Sequence, residues 1–154
     1  MDTKKNILWI EDESYKLEHL LSGIDENIFK VFPVKNTKDA IDEITKNSQS
    51  YSLILLDIIL PQGIIYSEEE YSKIKTLINN YAGFKILETI IAHKIKIPII
   101  IITIVTENHL REKIKEYRKR PDLNIVEVLS KGMLKSTRVK EAIYKVFNMT
   151  VEND

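Results

Sequence analysis

Short apolar runs that stop abruptly at a polar residue constrain this chain more than any other feature. Ile7 to Ile10 runs into Glu11, Asp12 and Glu13; Leu53 to Leu56 runs into Asp57; Val126 to Ser130 runs into Lys131. Four to eight apolar residues bounded by turn formers are the pattern of a strand buried on both faces, as in a parallel sheet. In an open α/β sheet, the residues just beyond the carboxyl ends of such strands line the ligand crevice. The pattern therefore predicts that Glu11, Asp12, Asp57 and Lys131 meet at one end of the fold.

Helical patterns separate the strands. Residues 13–21, with Tyr15, Leu17, Leu20 and Leu21 at near-helical spacing, follow the first strand, and Gly23 stops them. Residues 28–34 read as a second strand. Asn36 or Thr37 can cap a helix that carries Ala40, Ile41 and Ile44 on one face. A helix over 84–93 follows Gly83, and a fourth strand covers 97–103. A charged helix covers about 107–120 ahead of Pro121, and a last helix covers about 137–147. Strands alternating with helices imply a single α/β domain over 1–149 with five parallel strands and helices on both faces. Residues 150–154 read as a frayed tail.

One segment breaks the rhythm. Between Pro61 and Gly83, Ser67 to Glu70 has capping-box spacing, and Tyr71, Ile74, Leu77, Ile78 and Tyr81 share one helical face. An extra amphipathic helix is expected within 62–82, inserted between the third strand and its helix. It either packs as a surface insertion or serves a regulatory or partner-binding role.

Composition narrows the function. The 154 residues contain 23 Lys plus Arg and 23 Asp plus Glu, so no global charge favours nucleic acid or an anionic membrane. Cysteine is absent, which excludes disulfides, thiolate metal sites and a cysteine nucleophile. The start lacks the basic-then-apolar pattern of a signal peptide, and the run 97–105 is too short to span a bilayer, so a cytoplasmic location is the expectation. The basic residues of 111–120 are interleaved with Glu112 and Glu116 and read as a solvated helix face. His19, His93 and His109 lack ligand spacing and read as surface residues, and Trp9 reads as core.

Two adjacent carboxylates with a third from a neighbouring strand suit a hard divalent cation, and magnesium is the natural occupant. Without a cation they would repel one another and raise at least one pKa. A nearby ammonium can hold an oxygen of a phosphoryl group, so an aspartate in this setting could accept one. The alternative is a solvated rim, since acids end many strands.

The ordered set Ile7 to Glu13, Leu55 to Pro61, Gly83 to Leu87, Pro98 to Thr103 and Leu129 to Lys131 resembles the receiver domain of two-component response regulators over about residues 5–147. The resemblance implies a flavodoxin-like, doubly wound five-stranded parallel sheet. It implies magnesium-dependent phosphorylation of Asp57 by a histidine kinase or histidine phosphotransfer protein, switching a contact with a downstream protein or output domain. It makes Asp12, Asp57 and the backbone carbonyl of Ile59 direct magnesium ligands, with Glu11 acting through a water. It gives Lys131 and the Thr103 hydroxyl to the phosphoryl group, in a signalling phosphoacceptor rather than a turnover enzyme.

The chain departs from that pattern at three positions. Ile104 replaces the small residue after the switch threonine, Gly132 replaces the proline after the lysine, and Val128 replaces the aromatic three residues before it. These departures and the insertion motivate a competing expectation, a receiver-fold adaptor that binds a partner without phosphate. The chain could also be the receiver portion of a longer regulator. A hydrolase using an aspartyl phosphate is disfavoured, because Ile59 stands where such enzymes carry a second aspartate.

Overall fold

The computed structural model describes residues 3–60, 81–104 and 107–151. Five parallel strands form one sheet in the order β2-β1-β3-β4-β5: β1 Lys5–Ile10, β2 Phe29–Val34, β3 Leu53–Leu56, β4 Ile99–Thr103 and β5 Ile125–Ser130. This is the doubly wound, flavodoxin-like α/β fold. The order reverses between β1 and β3, and that switch point leaves an open crevice at the carboxyl ends of the two strands.

Alternating strand residues feed two apolar cores. Leu8, Ile10, Ile54, Leu56, Ile99 and Ile101 face one side with α2 (Thr37–Asn47), α3 (Gly83–Ala92) and α4 (Asn108–Arg118). Ile7, Trp9, Leu53, Leu55, Ile100 and Ile102 face the other with α5 (Ser136–Val146). β3 is buried at all four positions, as expected for a central strand covered on both faces. Met149 and Val151 pack against the second core.

Local chemistry explains most of the element boundaries. Asn36 caps α2, its side chain accepting from the Asp39 N–H at 2.9 Å. β4 starts at Ile99 rather than 97, because Pro98 has no N–H to give the ladder; its carbonyl still accepts from Ile54 N at 3.0 Å. α4 is shorter than the expected 107–120, and Pro121 lies beyond its end.

Two expectations are corrected. The single helix over 13–21 is instead α1 (Ser14–Leu17) followed by a 3₁₀ turn, Glu18–Leu21. Tyr15 and Leu17 stand two residues apart and fall on opposite sides of α1, so with Leu17 turned to the core Ser14 and Leu20 are buried while Tyr15, expected inward, is 62% exposed. Tyr81, expected on the inserted helix, pairs with Leu60 in an isolated parallel bridge. The rest of that expected helix lies outside the described residues.

Candidate functional site

The strand ladders set the site before any side chain contributes. Ile10 pairs with Leu56 in parallel register, so the next residues, Glu11 and Asp57, leave adjacent strand ends side by side. Asp57 N donates to Ile10 O at 3.0 Å and Glu11 N to Val34 O at 2.9 Å, which extends the ladder to both acids. Thr103 pairs with Ser130, and Lys131 N donates to Thr103 O at 3.0 Å. A register irregularity helps here: Ile99 pairs with Ile125 but Ile100 with Glu127, so Val126 is an extra residue in β5. A one-residue slip reverses which face every later side chain takes, so this bulge decides how Lys131 leaves the strand.

Asp57 is the hub. Its Oδ2 lies 2.6 Å from Lys131 Nζ, and its Oδ1 accepts from the Thr103 hydroxyl at 2.7 Å and from the Ile59 N–H at 3.0 Å. Lys131 Nζ also reaches Glu11 Oε2 at 2.5 Å. Glu11, Asp57 and Thr103 are buried, while Asp12 is half-buried and open to solvent on one side. The carboxylates of Glu11, Asp12 and Asp57 offer oxygens that all lie within 4.8 Å of one another. The residues singled out from the sequence therefore converge, and the Ile59 backbone borders them.

Burial and the Asp57 charge push the Glu11 carboxyl up to about 8, against the opposing pull of Lys131. Burial pulls the Lys131 ammonium down, but Asp57 and Glu11 outweigh it and hold it above its ordinary value. Two carboxyl groups thus share one ammonium, with the Asp12 carboxylate alongside them. The oxygen-only donor set and its excess negative charge are compatible with a hard cation such as magnesium.

Tyr15, Ile104 and Met133 are the exposed large hydrophobic residues among those described; Ile104 and Met133 follow the carboxyl ends of β4 and β5. Ile104 is 49% exposed next to the buried Thr103. The turn after Lys131 is left-handed at Met133 (φ 59°), not at Gly132 where loosening was expected. Val128 is half-buried against the core beneath α3 and α4.

Two features escaped the sequence. Gly83 serves as more than a helix opener: a Cβ there would lie 2.4 Å from Ile58 Cα and 2.7 Å from Asp57 O. Only glycine lets α3 start against the backbone of the Asp57 turn, where Gly83 N donates to Ile58 O at 2.9 Å. The other is a contact from Tyr81 to Glu107 at 2.7 Å, which joins positions 26 residues apart. A glycine ahead of a helical pattern was the available signal for the first; no spacing rule announces the second.

No family model matches the sequence, and no curated protein matches it. Solved structures do. The signal receiver domain of a Vibrio parahaemolyticus protein described as a Luxo repressor superposes with a TM-score of 0.67 at 18% identity, covering 95% of this chain and 92% of that one. The non-phosphorylated HemR receiver domain from Leptospira biflexa gives 0.65 at 19% identity over 98% of this chain and all of that one, 100%. The Francisella response regulator 1452 receiver domain gives 0.65 at 14% identity over 94% and 98%. At such identities the shared property is the fold, which is that of a response-regulator receiver domain. No helix of the described residues is long and apolar enough to cross a membrane.

Proposed function

We propose that this chain, which has the receiver-domain fold, is a phosphoacceptor of a two-component phosphorelay, with Asp57 as the residue that is phosphorylated. The observation that carries the reading is the environment of one carboxylate: Asp57 lies between Lys131 Nζ and Thr103 Oγ1, beside Glu11 and Asp12. The receiver fold supports it by supplying the crevice.

In the proposed step an Asp57 carboxylate oxygen attacks the phosphorus of a phosphohistidine on a kinase or phosphotransfer protein. The phosphorus–nitrogen bond breaks, and its electron pair stays on the imidazole, which takes a proton from solvent. Lys131 holds a phosphoryl oxygen and offsets its charge. The Thr103 hydroxyl exchanges its bond to Asp57 for one to the phosphoryl group, and that movement is the switch. Glu11, Asp12, Asp57 and the Ile59 carbonyl would hold a magnesium ion. Bound there, the metal would neutralise charge on the transferring group. The output is a changed contact with another protein or domain, not substrate turnover.

A second reading, a receiver-fold adaptor that binds its partner without phosphate, draws on a different observation. Lys131 already bridges Glu11 and Asp57, so the metal-free site is partly neutralised, and a bulky, half-exposed Ile104 directly follows Thr103. Intact mass after incubation with magnesium and acetyl phosphate or phosphoramidate separates the two. The phosphoacceptor gives one phosphoryl adduct that requires magnesium and is lost in Asp57→Asn; absence of any adduct, with a phosphohistidine donor protein also tried, favours the adaptor.

A further inference from the structure

Two stretches of chain leave the acidic site, one after Asp57 and one after Thr103, and the structure ties them together. Leu60, three residues beyond Asp57, pairs with Tyr81. The Tyr81 phenol donates to Glu107 Oε2 at 2.7 Å, and Glu107 lies four residues beyond Thr103. His109 Nε2 is 3.0 Å from the same oxygen, and its ring meets the Tyr81 ring edge-on with centroids 6.0 Å apart.

The contact continues along the two helices that follow. The Tyr81 ring meets Phe84 edge-on at 6.5 Å; Phe84 stacks on Tyr117 at 5.2 Å with planes 16° apart, under Lys113 Nζ. The Tyr117 hydroxyl donates to Glu88 at 2.7 Å. α3 and α4 are thus joined from the Tyr81–Glu107 contact onward, while Val128 in β5 offers neither ring nor hydroxyl to a threonine that moves.

The arrangement belongs to the state in which Thr103 donates to Asp57 Oδ1. Phosphorylation turns the carboxylate into a mixed anhydride, whose uncharged carboxyl oxygens are poorer acceptors, and adds charged phosphoryl oxygens nearby, so the Thr103 hydroxyl is drawn away. Thr103 is fully buried at the strand end, and Glu107 follows it by four residues in the same chain.

We propose that the Tyr81–Glu107 hydrogen bond, buttressed by His109, is a clasp that holds the chain after Thr103 in its resting position and restrains the phosphoryl-dependent switch. The inference rests on the phosphoacceptor reading above and names a regulatory contact of that same site. Strength at the clasp sets how readily the site accepts a phosphoryl group.

The test is titration of the whole chain with beryllofluoride, an acyl-phosphate mimic, in saturating magnesium, followed by calorimetry and by the fluorescence of Trp9. Wild type, Tyr81→Phe, Glu107→Gln and the double variant are compared, with Asp57→Asn as the blank. Tyr81→Phe keeps the ring contacts with Phe84 and His109 and removes only the donor. Each single variant should bind beryllofluoride about fivefold more tightly than wild type, at the low end for coupled sites. The double variant should gain no more than the singles, because both remove one bond, and magnesium affinity alone should not change. Wild-type affinity in both singles, or full additivity in the double, overturns the clasp. If wild type binds the mimic no better than Asp57→Asn, the phosphoacceptor reading fails and the clasp with it.

Discussion

Lys131 and Asp57, 74 residues apart in sequence, form a 2.6 Å ion pair at the carboxyl end of the sheet, and the same ammonium holds Glu11 at 2.5 Å. One cation therefore reaches two buried carboxyl groups. Replacing it by an apolar side chain of similar length leaves Asp57 without its ion-pair partner.

Lys131→Met should destabilise the metal-free domain by roughly 3 kcal/mol at pH 7, the scale of breaking a buried ion pair from one side. The loss should grow at pH 9, where wild-type Glu11 has given up its proton and the ammonium compensates two carboxylates instead of one. Denaturant midpoints in EDTA at the two pH values measure this, and equal losses at both would contradict the shared-ammonium arrangement.

Glu11 makes the metal-free fold sensitive to pH in a definite direction. Its folded value, about 8, lies above the 4.5 of an ordinary glutamate, so between the two the folded state binds the proton more tightly than the unfolded state. Stability from this group is full below about pH 4.5, declines through the interval and levels off above pH 8, with a slope on the order of 1 kcal/mol per pH unit. The Lys131 ammonium, raised from 10.5, loses its contribution only at still higher pH and does not disturb that window. Glu11→Gln should flatten the decline in EDTA, and magnesium should flatten it in the wild type by favouring the ionised form. A decline that persists in the variant would assign it to another group.

Gly83→Ala places a methyl group inside the van der Waals radius of Ile58 Cα and Asp57 O. Backbone cannot swing aside as a flexible side chain does, so about 2 kcal/mol of stability should be lost to overpacking. The displaced Asp57 turn should also weaken magnesium binding. Thermal unfolding with and without magnesium reads both effects; a variant matching wild type in each would show that α3 can shift at no cost.

Thr103→Val preserves volume and removes the hydroxyl that donates to Asp57 Oδ1. A hydrogen bond to a charged group contributes about 2 kcal/mol. The variant should lose stability on that scale while still giving the Asp57 phosphoryl adduct, since Lys131 and the acidic residues remain. Hydrogen exchange of α4 with beryllofluoride bound should then respond less than in wild type. An unchanged response would remove Thr103 from the switch.

The sequence by itself determined what local physics determines. Leu53 to Leu56 read as a doubly buried strand, Asn36 or Thr37 as the cap of a helix, and the apolar runs ending at Glu11, Asp57 and Lys131 as strands that bring those residues to one end of a parallel sheet. It did not determine how they touch. The extra residue Val126 in β5 sets how Lys131 leaves its strand, and β1–β3 register sets Glu11 beside Asp57; both arise from pairing between segments far apart in the chain. The break of residues 13–21 into α1 and a 3₁₀ turn, with Tyr15 outward, is not announced by periodicity. The Tyr81–Glu107 contact and the fit of Gly83 against Ile58 depend on where whole elements pack. Local pattern encodes burial and element type, whereas hydrogen bonds and ion pairs depend on ångström-scale positions that only the assembled sheet and helices supply.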